Sequence, residues 1–415
     1  MAGGLMQLVA YGAQDVYLTG NPEVTFYNAK YKRHTNFAME NIEQTLNGNA
    51  GNSGRVSVTV ARNGDLVGDM YVELESNAAT GGGACWVAER AIASVELSIG
   101  GQRVDKQYQK WWRLYTELSL DEAKKATYGK LTSALDTNKV FLPLMFFFNR
   151  NPGLYLPLIA LQYHEVRIDF DLASDMETYL NKTFKVWANY IYLDTEERRR
   201  FAQKGHEYLI EQVQHTGVDS VEATGTKQIR LSYNHPVKEL VWCFAGSGAD
   251  SLWNFGKAAG SATKVVLSSG PVDVSTTVGD GALPISAATG APVVLTAGHA
   301  DREAWTEEAQ SVQTSMKLVL NGQDRFKEQG SKYFNQVQPF NHHSGCPMPG
   351  VYSYSFALKP EEHQPTGTCN FSRIDNAQVA IVTAGAGNAT NLHMFATNYN
   401  VLRIQSGMGG LAFSN

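Results

Sequence analysis

The tract HEVRIDFDL (164–172) comes closest to a catalytic pattern in this sequence. Its charged side chains alternate with apolar ones and are Glu165, Arg167, Asp169 and Asp171. This spacing has the period of a strand and places all four charges on one face. A carboxylate pair serves glycoside hydrolysis when it flanks a cleft and one member has a raised pKa. Because polar alternation is common in strands with one solvated face, we favour a solvated or interface face over an acid–base pair.

A second tract, HHSGC (342–346), has the side chains of a soft metal site. His342, His343 and Cys346 could bind zinc, but the sequence offers no second ligand pair at zinc-finger spacing. We therefore predict a loop cluster of histidines and no metal. The four cysteines are widely scattered and predict buried thiols instead of a disulfide framework. They are Cys85, Cys243, Cys346 and Cys369.

Two short basic runs could contact phosphate. One comprises Lys30, Lys32 and Arg33, interleaved with aromatic residues, and the other is Arg198 to Arg200. On a chain with a formal net charge of −5, such runs more often form solvated faces or protein contacts. The motifs GxSxG and HExxH do not occur in the sequence. We therefore predict no catalytic residue, no cofactor-binding residue and no metal ligand.

The elements that position these residues are indicated by a glycine turn in VELSIGGQRVDKQY. Gly100 and Gly101 precede basic residues and could cradle a phosphate, but the spaced GxxxxGK pattern that opens a helix is absent. The alternating apolar residues before the glycines instead predict a strand, and Gly-Gly supplies the positive φ angles of a two-residue hairpin loop. The tract SMKLVLNGQDRFKEQ repeats the feature with Asn321 and Gly322, a strong hairpin signal.

This hairpin is one of three landmarks that recur in the same order. The pairs are Gly101 with Gly322, Asn63 with Asn234 and Pro157 with Pro365, at offsets of 221, 171 and 208. The shared order predicts one strand-rich unit of roughly 180 to 190 residues used twice. The extra length of the second unit falls in 245–300, a tract rich in Gly, Ala, Ser and Thr. We interpret it as a long exposed loop, either an outward-facing functional surface or an insertion without a partner.

Short apolar alternations bounded by Gly, Pro and Asn fill most of the chain. They predict an all-β fold of antiparallel jelly-roll sandwiches. Helices are predicted in DEAKKATYGKL (121–131) and DTEERRRFAQKGHEYLIEQ (194–212). The predicted organisation is an N-terminal arm at 1–25, a first jelly roll at 26–213, a linker at 214–225 and a second jelly roll at 226–415.

The composition limits the classes of function. With 415 residues, of which 43% are hydrophobic and 18% charged, the chain can build two cores. Its acidic balance gives no general attraction to nucleic acid or to anionic membranes. The longest apolar runs, such as FLPLMFFF, fall short of a membrane span of about 20 residues, and the first residues lack the basic region of a secretory signal. We expect a soluble protein made in a cytosol-like compartment.

Six tracts carry a resemblance to a known family: MAGGLMQLVAYGAQDVYLTGNPEVTFY, RNGDL, ELSIGGQRVDK, LPLIALQYHEV, YSFALKPEEHQPTGTCNFSRIDNA and NYNVLRIQSGMGGLAFSN. Over nearly its whole length the chain resembles the major capsid proteins of nucleocytoplasmic large DNA viruses, in particular the phycodnavirus and chlorovirus branch. The resemblance implies a tandem double jelly roll, with eight strands in two facing sheets per unit and a few short helices. It also implies a non-catalytic structural protein whose homotrimers form pseudo-hexagonal capsomers in an icosahedral shell.

The same resemblance implies the partners and the location. Neighbouring capsomers tile the shell, minor capsid proteins lie beneath it, and an internal membrane is nearby but not spanned. No direct contact with nucleic acid and no cofactor are implied. Glycans on outer loops are implied, and Asn388 and Asn254 are the predicted sites. The chain would reside in the virion capsid after synthesis and assembly in the host cytoplasm. The alternatives are a carbohydrate-binding or receptor-binding jelly-roll protein and a minor capsid paralogue.

Overall fold

The computed structural model describes most of the chain, in ranges separated by gaps: 3–20, 26–29, 31–76, 86–133, 139–245, 255, 265–266, 285–286, 311–345, 347, 350–385 and 390–414. Residues 1–37 and 38–415 form two compact units. The first unit contains two short helices, α1 (Gly3–Val9) and α2 (Asp15–Leu18). Within it, the amide of Gly12 donates a hydrogen bond of 2.8 Å to the carboxylate of Asp15.

The first half of the larger unit folds into a sandwich of two antiparallel sheets. Its strands are β1 (Phe37–Glu43), β2 (Leu46–Gly48), β3 (Arg55–Thr59), β4 (Leu66–Ser76), β5 (Ile92–Ile99), β6 (Gln102–Tyr108), β7 (Lys139–Pro143), β8 (Leu156–Pro157), β9 (Val166–Leu172) and β10 (Leu180–Leu193). Sheet 1A has the order β1-β10-β4-β7, with β8 also on β4, and sheet 1B has the order β2-β3-β9-β5-β6.

The second half repeats this arrangement. Its strands are β11 (His206–Ser220), β12 (Gly225–Arg230), β13 (Pro236–Ala245), β14 (Val265–Val266), β15 (Ile285–Ser286), β16 (Gln313–Leu320), β17 (Gln323–Asp324), β18 (Gln329–Gly330), β19 (Val351–Ser355), β20 (Cys369–Asn370), β21 (Ala377–Thr383), β22 (Asn391–Gln405) and β23 (Met408–Leu411). Sheet 2A has the order β11-β22-β13-β19, with β20 on β13 and β23 on β22. Sheet 2B has the order β12-β21-β16-β17, with β18 on β16. Strands β14 and β15 pair with each other.

Alternating apolar residues build each core between two facing sheets. In β5 the side chains of Val95, Leu97 and Ile99 are fully buried and Glu96 is half-buried, as the period of two requires. Across the first sandwich, the rings of Phe170 and Phe184 meet edge to face with centroids 5.3 Å apart. The predicted all-β tandem double jelly roll is confirmed. The described residues hold ten strands in the first sandwich and more in the second, because short strands of two to four residues extend the predicted eight.

Short helices connect the strands. They are α3 (Val87–Ala91), α4 (Gln109–Ser119), α5 (Glu122–Thr132), α6 (Phe147–Arg150), α7 (Met176–Tyr179), α8 (Thr195–Gln203) and α9 (Gln338–His342). Single 3-10 turns lie at Pro152–Leu154 and Phe371–Arg373, and a π-helical turn at Tyr333–Val337 precedes α9. Helix α5 confirms the helix predicted at 121–131, and the carboxylate of Asp121 caps it by accepting the amide of Lys124 at 2.8 Å. No helix among the described residues is long and apolar enough to cross a membrane.

The boundary between the sandwiches lies earlier than the sequence predicts. The predicted linker at 214–225 overlaps β11, which pairs with β22 from His206 to Ser220 and therefore belongs to the second sandwich. Its Thr- and Gly-containing stretch resembles a loop in sequence; in the structure Thr216 and Gly217 form an irregularity in the ladder to β22, which resumes at Val218. Helix α8 makes the transition and ends at Gln203, so the predicted helix at 194–212 is too long. Among the described residues, the first strand begins at Phe37, within the range of 26–213 predicted for the first jelly roll.

The two glycine turns each close a two-residue hairpin. Ile99 pairs with Gln102 around Gly100 and Gly101, which have φ angles of 59° and 83°. In the second sandwich, Leu320 pairs with Gln323 around Asn321 and Gly322, with φ angles of 50° and 80°. Two successive positive φ angles define the turn that matches the twist of adjacent strands.

The sheet registers define which positions of the two sandwiches correspond. Leu66 pairs with Pro157 in the first sandwich, and Pro236 pairs with Asn370 in the second. Strands β4 and β13 therefore correspond at an offset of 170 (236 − 66), and β8 and β20 at an offset of 213 (370 − 157). The predicted offsets of 171 and 208 are wrong, whereas the hairpin offset of 221 agrees with the two turns.

Candidate functional site: the junction between the sandwiches

The carboxylates of β9 are held by basic and hydroxyl groups. Asp169 accepts hydrogen bonds from Ser57 at 2.5 Å, Arg167 at 2.8 Å and Arg55 at 3.2 Å. Partial burial opposes ionisation, but these donors hold the pKa of Asp169 below its ordinary value. Asp171 accepts from Ser94 at 2.9 Å. A carboxylate with a lowered pKa and three hydrogen-bond donors is a poor general acid, and the solvated or interface face stays a prediction.

The histidine pair of the HHSGC tract is divided between two environments. The imidazole of His343 is buried, with Nε2 3.3 Å from Glu239 and Nδ1 3.3 Å from Glu361. Burial disfavours the cation, yet the two carboxylates raise the pKa of His343 to about 9. His342 instead contacts the carbonyl of Leu358 through Nδ1 at 3.0 Å. Within the described ranges, no group of three His, Cys, Asp or Glu residues is placed to hold a metal ion.

The remaining predicted candidates are dispersed. Arg198 on α8 forms an ion pair of 3.0 Å with the buried Asp65, and Arg33 donates to Asn36 at 3.1 Å. Cys243 is a buried free thiol and Cys369 is half-buried. Several predicted residues lie outside the part of the chain that the structure describes: Lys30, Cys85, Cys346, Asn254, Asn388 and most of 245–300.

Helix α4 brings an aromatic cluster from the first sandwich onto sheet 2A. Trp111 lies at the start of the helix, and its ring centroid is 5.9 Å from that of Phe395 on β22. Phe395 also stacks on His215 of β11 at 4.4 Å, and His215 meets the ring of Tyr108 at 5.1 Å. Burial lowers the pKa of His215, which therefore packs as a neutral ring. The outward face of sheet 2A is thus a buried interface between the two sandwiches.

Two ion pairs of the buried carboxylate of Glu211 lie beside this aromatic cluster. Arg150, at the end of α6, donates to Glu211 of β11 at 3.0 Å. Lys238 of β13 donates to the other oxygen of Glu211 at 2.6 Å and to the carbonyl of Pro360 at 2.7 Å. Burial opposes ionisation of Glu211, but Lys238 and Arg150 together lower its pKa. A cavity of about 20 Å³ lies among these groups, large enough for one water molecule.

A polar cleft of about 510 Å³ separates β6 from β11 at the edge of the junction. At its base, Asp105 accepts a hydrogen bond from the amide of Val213 at 3.0 Å and another from Gln107 at 3.2 Å. Burial raises the pKa of Asp105 to about 6 in spite of these donors. The side-chain amide of Gln212 donates to the backbone carbonyl of Val104 across the same boundary. The strands of the two sandwiches are therefore joined by side-chain hydrogen bonds and not by a shared sheet.

The β22-β23 hairpin contacts the first sandwich next to the glycine turn at Gly100 and Gly101. His164, which follows β8, contacts the carbonyl of Gly409 through Nδ1 at 2.8 Å. The side chain of Gln102, next to the first glycine turn, accepts the amide of Leu411 at 3.1 Å. A side chain on Gly100 would overlap the ring of His164, so the first glycine of that turn is required for this contact as well as for its φ angle.

The sequence signals for the junction were weak. Trp111, Arg150 and Phe395 belong to segments far apart in the chain, and periodicity cannot show which surfaces meet. One signal was present in PVKELVWCFA, where Lys238 and Glu239 interrupt an otherwise apolar strand. Charges in a strand buried on both faces need partners, and the structure supplies them from other segments.

Comparison with known proteins gives the same division of the chain. Residues 25–194 match the family model described as the major capsid protein N-terminus, and residues 197–410 match the model described as large eukaryotic DNA virus major capsid protein. The chain is 44% identical to the major capsid protein of Paramecium bursaria Chlorella virus 1 and 40% identical to that of Phaeocystis pouchetii virus, with 100% of each chain covered.

Solved structures agree with these matches. The chain resembles a protein in the quasi-atomic structure of the PBCV-1 virus capsid. The TM-score is 0.76 and the identity 39%, with 94% of this chain and 100% of that chain covered. It also matches the Faustovirus major capsid protein at a TM-score of 0.70 and 12% identity, covering 97% and 96% of the two chains. The second likeness supports the fold alone.

Proposed function

This chain belongs to the family of large eukaryotic DNA virus major capsid proteins, and from that membership we propose that it builds the capsid through contacts between copies. It is a structural protein of the virion capsid and not an enzyme. We propose that three copies form a homotrimeric, pseudo-hexagonal capsomer. The observation that carries this proposal is the repeat of one strand order in both sandwiches, which gives three chains six similar sides.

The rigid junction supports this role. A capsomer tiles a shell only if its sides keep fixed relative positions, and a heterologous contact closes into a ring only at a fixed rotation. The Trp111–Phe395 contact and the Arg150–Glu211 ion pair fix one sandwich against the other. We propose that the sandwich before α8 and the sandwich after it serve as the two sides contributed by each chain.

The proposed partners are neighbouring capsomers in the shell and minor capsid proteins beneath it. We propose that an internal membrane lies nearby without being spanned, that the genome is not contacted directly, and that synthesis and assembly take place in the host cytoplasm. The net charge of −5 supports the absence of genome contact. Outer loops carrying Asn388 and Asn254 are proposed to bear glycans, and peptide mapping of virion protein would test both positions.

Native mass spectrometry tests the capsomer. We expect a trimer near 136.5 kDa, three times the chain mass of 45.5 kDa. The purified trimers should form hexagonally packed arrays under virion-like salt and pH. A chain that stays monomeric at all concentrations, or that is scarce in purified virions, would contradict a role as the main shell subunit.

A further inference from the structure

The outward face of sheet 2A is covered within the chain, and the corresponding face of sheet 1A is not. On sheet 2A, Val241, Val351 and Phe395 are at most 1% exposed, because they belong to the apolar core of the first sandwich, with Trp111 of α4 against Phe395. The registers assign each a counterpart on sheet 1A. Tyr71 pairs with Trp187 as Val241 pairs with Phe395, and Phe141 pairs with Glu73 as Val351 pairs with Cys243.

The counterparts Tyr71, Phe141 and Trp187 form an aromatic surface on sheet 1A, and Met39 lies on the adjacent strand β1. We call these four residues the platform face. The rings of Tyr71 and Trp187 lie nearly parallel with centroids 6.5 Å apart, and Tyr71 meets Phe141 edge to face at 5.8 Å. All three rings are only half-buried, and Met39 is 55% exposed. Clustered, partly exposed aromatic side chains of this kind are typical of protein interfaces.

The second sandwich carries a counterpart of the element that covers sheet 2A. In the first sandwich, α4 lies between β6 and β7 and presents Trp111. In the second, the π-helical turn and α9 lie between β18 and β19. This segment presents Val337, which is 44% exposed, and Phe340, which is 88% exposed. Leu358, 72% exposed, lies next to it, since its carbonyl contacts His342 at 3.0 Å. We call Val337, Phe340 and Leu358 the helical face.

We propose that the platform face of each chain binds the helical face of a second copy, so that the contact between chains repeats the contact within a chain. Phe340 would then pack on Trp187 of the next copy as Trp111 packs on Phe395 within one copy. The carboxylate of Glu73 accepts a hydrogen bond from the platform ring of Trp187 at 2.8 Å, and Lys139 of the same chain already pairs with that carboxylate at 2.9 Å, so the proposed contact is mainly apolar.

This contact is heterologous, because each chain offers one platform face and one helical face. Internal and external junctions of the same kind alternate around the axis. They close into a ring of six sandwiches, which is three chains, if each junction rotates by one sixth of a full turn. The inference therefore rests on the proposed trimer and specifies the surfaces that form it. It also explains why two apolar surfaces remain exposed on one folded chain.

Two single substitutions test the pairing. Phe340→Asp changes a side chain that is 88% exposed, so the fold of one chain should be unaffected. Trp187→Lys places a cation beside Glu73 on the platform face. Each should weaken association by about 30-fold or more, as expected for a buried aromatic anchor, and shift the native mass from about 136.5 kDa towards 45.5 kDa. Tyr163→Asp, which is 74% exposed and outside both faces, is the matched control and should remain trimeric.

Mixing the two variants gives the decisive result. Each retains the face that the other has lost, so an equimolar mixture should form a dimer near 91 kDa, twice 45.5 kDa, that neither forms alone. Circular dichroism of each variant should match the wild type. A trimer that survives both substitutions, or a mixture that stays monomeric, overturns this contact while leaving the trimer intact. A wild-type chain that is monomeric overturns the proposed trimer itself, and a variant that loses only sugar binding would assign the platform face to a glycan.

Discussion

At the scale of the residue, His343 is a buried group whose charge should matter to stability. It lies between two carboxylates in a buried site, and its pKa is raised from the ordinary 6.5 to about 9. A raised folded-state pKa stabilises the fold fully below the unfolded value, and the contribution is lost as pH rises through the folded value. Protonated His343 thus joins the segment after α9 to β13.

We therefore predict that His343→Gln destabilises the chain at neutral pH, by an amount on the order of 3 kcal/mol or less. The difference in melting temperature between wild type and variant should shrink as pH rises from about 6.5 to above about 9. Thermal unfolding followed at several pH values measures this. The neighbouring His342→Gln is the control. If the difference in melting temperature between the wild type and His343→Gln does not change with pH, His343 is not protonated in the fold.

At the scale of the element, the first glycine turn combines two constraints. Gly100 and Gly101 both have positive φ, but only Gly100 lies against the ring of His164. A side chain at Gly101 would meet no atom within 4 Å. The turn is therefore asymmetric, and the contact of His164 with Gly409 depends on its first residue.

Substitution by alanine should separate these constraints. Gly101→Ala should cost only the backbone penalty, about 1 to 2 kcal/mol, whereas Gly100→Ala should cost at least about twice as much, since it also displaces His164. Urea unfolding midpoints of the two variants provide the comparison. Equal losses would mean that the His164–Gly409 contact contributes nothing.

Some elements could be predicted from the sequence, whereas the alignment of one sandwich on the other could not. The hairpin at Asn321 and Gly322 is a local signal, so it could be predicted without knowledge of the fold. The correspondence of β4 with β13 could not be predicted in this way. Shifting the alignment by one residue still gives an alternating pattern, but it assigns every side chain to the opposite face of the sheet. The predicted offset placed Met70 on Val241, whereas the register places Tyr71 there. That slip concealed the platform face.

At the scale of the whole molecule, the two sandwiches should unfold as one unit. The core of the first sandwich is continuous with side chains of sheet 2A, including Val241, Val351 and Phe395. Sequence analysis could not predict such a junction, because its partners are separated by 61 residues, as in Arg150–Glu211, or by more, and share no local pattern. The resemblance to a family identified the double jelly roll, but the contacts that fix one sandwich on the other came from the structure.

Calorimetry can test this coupling with two matched substitutions. The wild type should show one transition. Phe395→Ala leaves a cavity at the junction and should destabilise the chain by about 3 to 5 kcal/mol. It should also broaden the unfolding transition or divide it into two. Phe170→Ala removes an equally buried ring inside the first sandwich and should lower the transition temperature without dividing it. Two transitions in the wild type would show that the sandwiches are independent.

The strand order of sheet 2A also sets the order of events during synthesis. Strand β22 lies between β11 and β13 in the sheet but follows both in the chain, so neither can complete its ladder until residue 405 has left the ribosome. The first sandwich closes earlier, when β10 enters between β1 and β4. During that interval Trp111 has no Phe395 to cover it. A nascent chain therefore displays an apolar docking surface before its intended partner exists, and we expect chaperone binding or premature association between chains to occur at this stage.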